Sequence, residues 1–154
     1  MHFPRQNLRT PGPTPVPDDI VQAMSEPMIN HRGPEFLELI NDSTEKLKQV
    51  FMTQNDLFIL TASGTGALEA SVVNTLSAGD EVIALTAGAF GDRFCDLAEA
   101  YGANVKRINF EWGSAIDPDI VRKELNKQPS VKAVMVTHNE TSTGVTHDLE
   151  SISS

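Results

Sequence analysis

The 154-residue chain has one cysteine, Cys95, and four scattered histidines. One thiol cannot close an internal disulfide, and the histidines are too dispersed to suggest a structural zinc site. Positive charge is also scarce. Twelve Lys and Arg against 21 Asp and Glu leave a net charge of −9, which argues against a broad surface for nucleic acid or anionic lipid but leaves room for one local anion site. No apolar run reaches the length of a membrane span, and the opening MHFPRQNLRTPGP has no apolar signal core. A soluble, cytoplasmic protein that binds neither nucleic acid nor membrane is the expectation. Internal repeats and low-complexity tracts are missing too.

What is present changes character along the chain. Pro11 to Pro17, PGPTPVP, favours an extended segment with few internal hydrogen bonds, suited either to docking or to lying on the surface as an arm. Asp18 is placed to open a short helix through Met24. His31 to Phe36, HRGPEF, reads as a turn into an amphipathic helix in which Phe36, Leu37, Ile40, Leu47 and Val50 share roughly one face. Residues 1–50 are thus expected to form an arm and helices, and residues 51–154 a separate α/β region.

From Leu57 onward strand and helix patterns alternate. Leu57–Thr61, Glu81–Thr86, Asn104–Phe110 and Val131–His138 read as strands, the last apolar enough to be central and buried on both faces. Between them, Leu68, Val72 and Leu76 form one helical stripe before Gly79, and Phe94, Leu97, Ala98 and Tyr101 form another before Gly102. Asp117-Pro118 is a cap followed by a first-turn proline, opening a helix through about Lys127. A repeated βα pattern implies an α/β fold, a mostly parallel sheet covered by helices.

Ligands of such sheets gather where strands turn into helices at their carboxyl ends. Three of those turns are chemically unusual. Ala62 to Gly66, ASGTG, offers two hydroxyls and the free N–H groups of a helix start, which suit a phosphate. Thr86 to Arg93, TAGAFGDR, presents Phe90 between glycines at the start of a helix, and Thr137 to Gly144, THNETSTG, is a polar cluster. Each turn alone has a plainer explanation. Two glycines can serve tight packing, Phe90 can be core, and His138 can be a satisfied core histidine. The first turn also falls short of a dinucleotide fingerprint, because Glu69 stands where a third small residue belongs.

Taken in order and at these separations, GPTPVP, HRGPEF, SGTGALEA, GAFGDR and THNETSTG resemble the amino-terminal part of a class V aminotransferase. This family belongs to the fold-type I pyridoxal-phosphate enzymes, and the likeness points to its alanine–glyoxylate and serine–pyruvate branch. It covers roughly Leu8 to Leu149. The resemblance implies pyridoxal 5'-phosphate as cofactor, small amino acid and 2-oxo acid substrates, and a homodimer. It implies that Ser63, Gly64 and Thr65 cradle the cofactor phosphate, that Phe90 stacks on its ring where the family commonly has tryptophan, and that Ser142 and Asn139 lie near the ring substituents. Gly12 matches a glycine lining the substrate pocket.

The resemblance also implies parts that this chain does not contain. These are an aspartate for the pyridine nitrogen, a lysine that holds the cofactor covalently, and an arginine for the substrate carboxylate. The six lysines, Lys46, Lys48, Lys106, Lys123, Lys127 and Lys132, sit away from the three polar turns. The chain is therefore expected to be the truncated amino-terminal part of an aminotransferase, inactive alone. Two other functions fit less of the sequence. One is a nucleotide-binding Rossmann domain of an oxidoreductase, although such domains open on the fingerprint strand and here about a third of the chain precedes it. The other is a non-catalytic interaction module.

Overall fold

The computed structural model describes residues 6–154. Met1–Arg5, the first part of the stretch read as lacking a signal core, lie outside them. The chain divides into two compact units at Ile59–Leu60, nine residues past the boundary expected from the sequence. Thr53–Ile59 between the last helix of the first unit and that division has no regular structure beyond a bend.

The first unit carries two helices. α1 (Asp18–Met24) follows Pro17 at its N-cap, so Asp18 is the first helical residue. α2 (Pro34–Val50) starts on Gly33 with Pro34 in its first turn, where the missing N–H costs nothing and the fixed φ suits the helix. Along α2, Phe36, Ile40 and Leu47 are half-buried, while Leu37 and Val50 are exposed. Neither helix contains a fully buried residue.

The second unit is built on a three-stranded parallel sheet in the order β2-β1-β3. Its elements run α3 (Gly64–Thr75), β1 (Glu81–Thr86), α4 (Ala89–Ala100), β2 (Asn104–Asn109), α5 (Pro118–Lys127), β3 (Ala133–Val136), β4 (Asn139–Glu140), β5 (Val145–Thr146) and α6 (Leu149–Ser153). β4 and β5 form a separate antiparallel hairpin. Successive strand side chains point to opposite faces, and β1 shows this directly. Val82 and Ala84 join Val72 of α3, Cys95 and Ala98 of α4 and Met135 of β3 in one core. Ile83 and Leu85 join Ile116, Val121 of α5 and, more peripherally, Ile152 of α6 in the other. The result is three layers, with α3 and α4 on one face and α5 and α6 on the other.

Helix ends follow their local chemistry. Gly102 adopts φ +86° after α4, its N–H donating to the Glu99 carbonyl and the Ala103 N–H to the Ala98 carbonyl, the double-bonded left-handed cap that only glycine enters without strain. Asp117 caps α5 through the Asp119 N–H at 2.9 Å, with Pro118 in the first turn, as the sequence predicts.

Two strand expectations are corrected. Leu57–Thr61 is not a strand: it has no ladder partner among the described residues, Phe58 is 80% exposed, and the Ala62 N–H folds back to the Leu60 carbonyl. An apolar run becomes a strand only when a neighbour takes its hydrogen bonds. Val131–His138 shortens to β3 and lies at an edge of the sheet, whereas β1, buried from Val82 to Thr86, holds the centre.

Candidate functional site

β1 and β3 run parallel and in register, Leu85 opposite Val136. Their carboxyl ends therefore deliver the turn after each strand to the same level. The amino end of α3 closes the third side. Together they enclose a cavity of about 490 Å³ lined by residues of all three turns, among them Ser63, Gly64, Thr65, Phe90, Thr137, His138 and Asn139. The size is that of an ordinary small-molecule site.

Ser63 is the N-cap of α3, yet its side chain makes no capping bond. Its hydroxyl and the N–H groups of the first helical turn are left to face whatever occupies the cavity. A Cβ on Gly64 would enter empty space, so that glycine serves no packing within the chain and leaves the helix end open. Gly66 is different, since a Cβ there would lie 2.7 Å from that of Ala62. Across the cavity stands the half-buried Phe90 on the first turn of α4. On the third side the Thr137 hydroxyl is buried without a hydrogen-bond partner among the described residues, an arrangement that ordinarily calls for an ordered water.

Two residues that the sequence reading did not single out tie these pieces together. Arg93, one helical turn after Phe90, donates from Nη1 to the Thr65 hydroxyl at 3.2 Å and sits 5.4 Å from the centre of the Phe90 ring. It thus spans the first two turns and adds a cation to the wall. Its i, i+3 spacing from Phe90 is the signal that could have found it. Glu140, only 1% exposed, accepts from the Gly91 N–H at 2.9 Å, the Phe90 and Ser142 N–H groups at 3.3 Å each and the Ser142 hydroxyl at 2.5 Å. Burial pushes its carboxyl pKa up, but the Ser142 hydroxyl and the three amides outweigh that, and the net shift is downward. It stays ionised at neutral pH.

The expected site residues are distributed as follows. Ser63, Gly64, Thr65, Phe90 and Asn139 line the one cavity. Ser142 stands behind it, its hydroxyl donating to Glu140 and accepting from the Ala89 N–H at 3.0 Å. Gly12 lies in the first unit, in an exposed bend with open space around its Cα. His138 is exposed and lines the cavity, so it is not a core histidine. That description fits His147, 2% exposed, whose Nδ1 accepts from the Ile116 N–H at 3.3 Å. Burial chiefly, with a smaller push from His138 and against the pull of Glu140, lowers its pKa. Cys95 is fully buried in the core, and desolvation raises its thiol to about 11, which leaves it inert as a nucleophile.

Among the described residues no cluster of His, Cys, Asp and Glu is arranged to hold a metal, and no helix is long and apolar enough to cross a membrane. The chain is 46% identical over 147 residues to the soluble hydrogenase small subunit of a Synechococcus species, covering 94% of this chain and 38% of that protein. It is 38% identical over 151 residues to the serine–glyoxylate aminotransferase of Methylorubrum extorquens, covering 96% and 38%. It superposes on the crystal structure of ureidoglycine–glyoxylate aminotransferase from Bacillus subtilis with a TM-score of 0.92 and 32% identity, over 99% of this chain and 39% of that one. The chain thus spans about two-fifths of the length of these proteins. Because they carry different names, assignment rests on what they share. The model of the class V aminotransferase family matches residues 7–154, the α/β fold is that of its solved members, and the chain belongs to the class V aminotransferases.

Proposed function

We propose that the chain supplies the cofactor-anchoring part of a pyridoxal-phosphate-dependent aminotransferase, one that moves an amino group from a small amino acid, alanine or serine, to a 2-oxo acid, glyoxylate or pyruvate. The observation that carries this reading is a single cavity with an unsatisfied helix end on one wall and an aromatic face on the other. An anion fits the first wall, where the amides of the first turn of α3, the Ser63 hydroxyl and the Arg93 cation meet. A planar ring fits the second. When bound, the cofactor supplies the electron sink that lets an amino group pass between an amino acid and a 2-oxo acid.

The chain's own residues then have distinct roles. Ser63, Gly64 and Thr65 hold the phosphate; Phe90 offers its face to the ring, without the N–H that a tryptophan would add. Asn139 offers a polar contact at the ring edge, with Ser142 behind it. Gly12, as a substrate contact, and the homodimer rest on family membership. None of the second unit's lysines, Lys106, Lys123, Lys127 and Lys132, lines the cavity, and three of them are paired: Lys106 and Lys127 with Glu124, Lys132 with Asp80.

Titration of the chain with pyridoxal phosphate and, separately, with NAD tests this reading. Saturable binding of the former, with borohydride reduction leaving no stoichiometric adduct on one lysine and no turnover of alanine with glyoxylate, is expected. Preference for NAD would replace it with a nucleotide-binding domain. Indifference to both would favour an interaction module.

A further inference from the structure

Glu140 is a buried carboxylate that the proposed chemistry does not use. It lies on the short strand β4, yet three of its four hydrogen bonds reach residues that set the cavity's far walls. The Phe90 and Gly91 amides belong to the first turn of α4, and the Ser142 hydroxyl belongs to the turn after β4. The fourth, the Ser142 N–H, closes that turn upon itself. Ser142 completes the circuit by accepting from the Ala89 N–H. The amino end of α4 and the β4–β5 turn are thus one hydrogen-bonded assembly with a single negative charge at its centre, and the charge sits where a helix end favours an anion.

Gly88 makes the assembly possible. A Cβ at that position would stand 2.5 Å from Cγ and Cδ of Glu140 and from the Ser142 hydroxyl. The backbone there is extended and open to any residue (φ 168°). Its glycine is therefore required by the closeness of Glu140 and Ser142, not by the backbone conformation.

From this geometry, and resting on the reading of the cavity as a pyridoxal-phosphate site, we infer that Glu140 is a positioning residue: it locks the Phe90 ring face and the Ser142 turn at a fixed spacing, so that the cavity accepts a planar ring in one orientation. It acts through those residues and not on the ligand. Ser63, Gly64 and the first-turn amides of α3 take no part in the assembly, and only Arg93, one turn into α4, links it to their wall; phosphate held there should depend little on Glu140.

The separation of the two walls supplies the test. Glu140→Gln keeps the shape but turns one acceptor into a donor facing amide donors. In the chain, Glu140→Gln is expected to weaken pyridoxal phosphate about tenfold and to abolish most of the induced circular dichroism of its ring, which reports a fixed orientation. Inorganic phosphate, followed through the amide resonances of Gly64 and Thr65, should bind within twofold of the unmodified chain. Gly88→Ala, which displaces Glu140 from the other side, should give the same pattern. Equal losses of phosphate and pyridoxal phosphate would mean a general structural role and overturn the inference, as would unchanged dichroism in either folded variant. An unmodified chain that ignores pyridoxal phosphate would instead remove the reading of the cavity, and the positioning role with it.

Discussion

The two units bury their apolar residues to very different degrees. Every fully buried residue among those described belongs to the second unit, where β1 is sealed between two cores. In the first unit, α2 has the apolar spacing of a core helix, yet Leu37 is 61% and Val50 73% exposed. An amphipathic pattern therefore states that a face is to be covered but not by what. The second unit covers its own faces. The first has a face still to be covered, consistent with the homodimer proposed above.

The sharpest way to break this comparison is to excavate the second core. Ile83, fully buried at the centre of β1, should on replacement by alanine lose about 3 kcal/mol of unfolding free energy, through lost transfer energy and the cavity left behind; urea denaturation followed by tryptophan-independent far-UV dichroism would measure it. A loss below 1 kcal/mol would mean that the sheet is not what holds this unit together.

Next in size is the anion wall. Ser63→Ala removes a hydrogen bond to a charged phosphate and should weaken pyridoxal-phosphate affinity by about 1.5–3 kcal/mol, with stability nearly unchanged because Ser63 makes no capping bond. Calorimetric titration gives the first quantity and thermal unfolding the second. Unchanged affinity would contradict the assignment of the phosphate to this helix end.

Acid should act on the second unit through His147. Its folded pKa lies below the ordinary 6.5, so the unfolded chain takes up its proton first. The stability this histidine contributes is complete above about 6.5 and drains away as pH falls from there through the folded pKa. His147→Gln should flatten the pH dependence in that window, measured as the urea midpoint at several pH values. Glu140, whose folded pKa also lies below its ordinary value of 4.5, takes over further down, its contribution present above that value and lost as pH falls through the folded pKa.

The smallest effect belongs to the first unit. Leu37→Ser should change the stability of the chain by no more than about 0.5 kcal/mol, as surface substitutions do. A change as large as that of Ile83→Ala would show that α2 is buried in solution and erase the contrast between the units.

Much of this was written locally. The Asp117-Pro118 cap, the stop at Gly102 and β1 itself depend on residues within a few positions of one another, and the periodicity revealed them, whereas α3 ends at Thr75, short of the stop expected at Gly79. Ser63, Thr65 and Phe90 were visible for the same reason, each in a glycine-rich turn at the start of a helix. What failed was anything decided by a distant partner. The composition of Leu57–Thr61 suits a strand, but pairing is a property of two segments. β3 is as apolar as a central strand, and only its neighbours reveal that it stands at an edge. Glu140 looked like one more polar residue in a turn, because the amides that receive it lie some fifty positions earlier.

The alignment of β1 with β3 has one more consequence. Each residue of a parallel strand advances about 3.3 Å, so a slip of two positions, which would keep every side chain on its proper face, would carry Thr137 to Asn139 about 7 Å away from Phe90. The sheet acts as a gauge block: it holds the cavity's dimensions to within a fraction of a residue step, mostly from beneath the cavity, which only Val136 of its residues lines. Substitutions between Val82 and Leu85 or between Ala133 and Val136 can therefore detune the site while leaving every residue that lines its first two walls untouched.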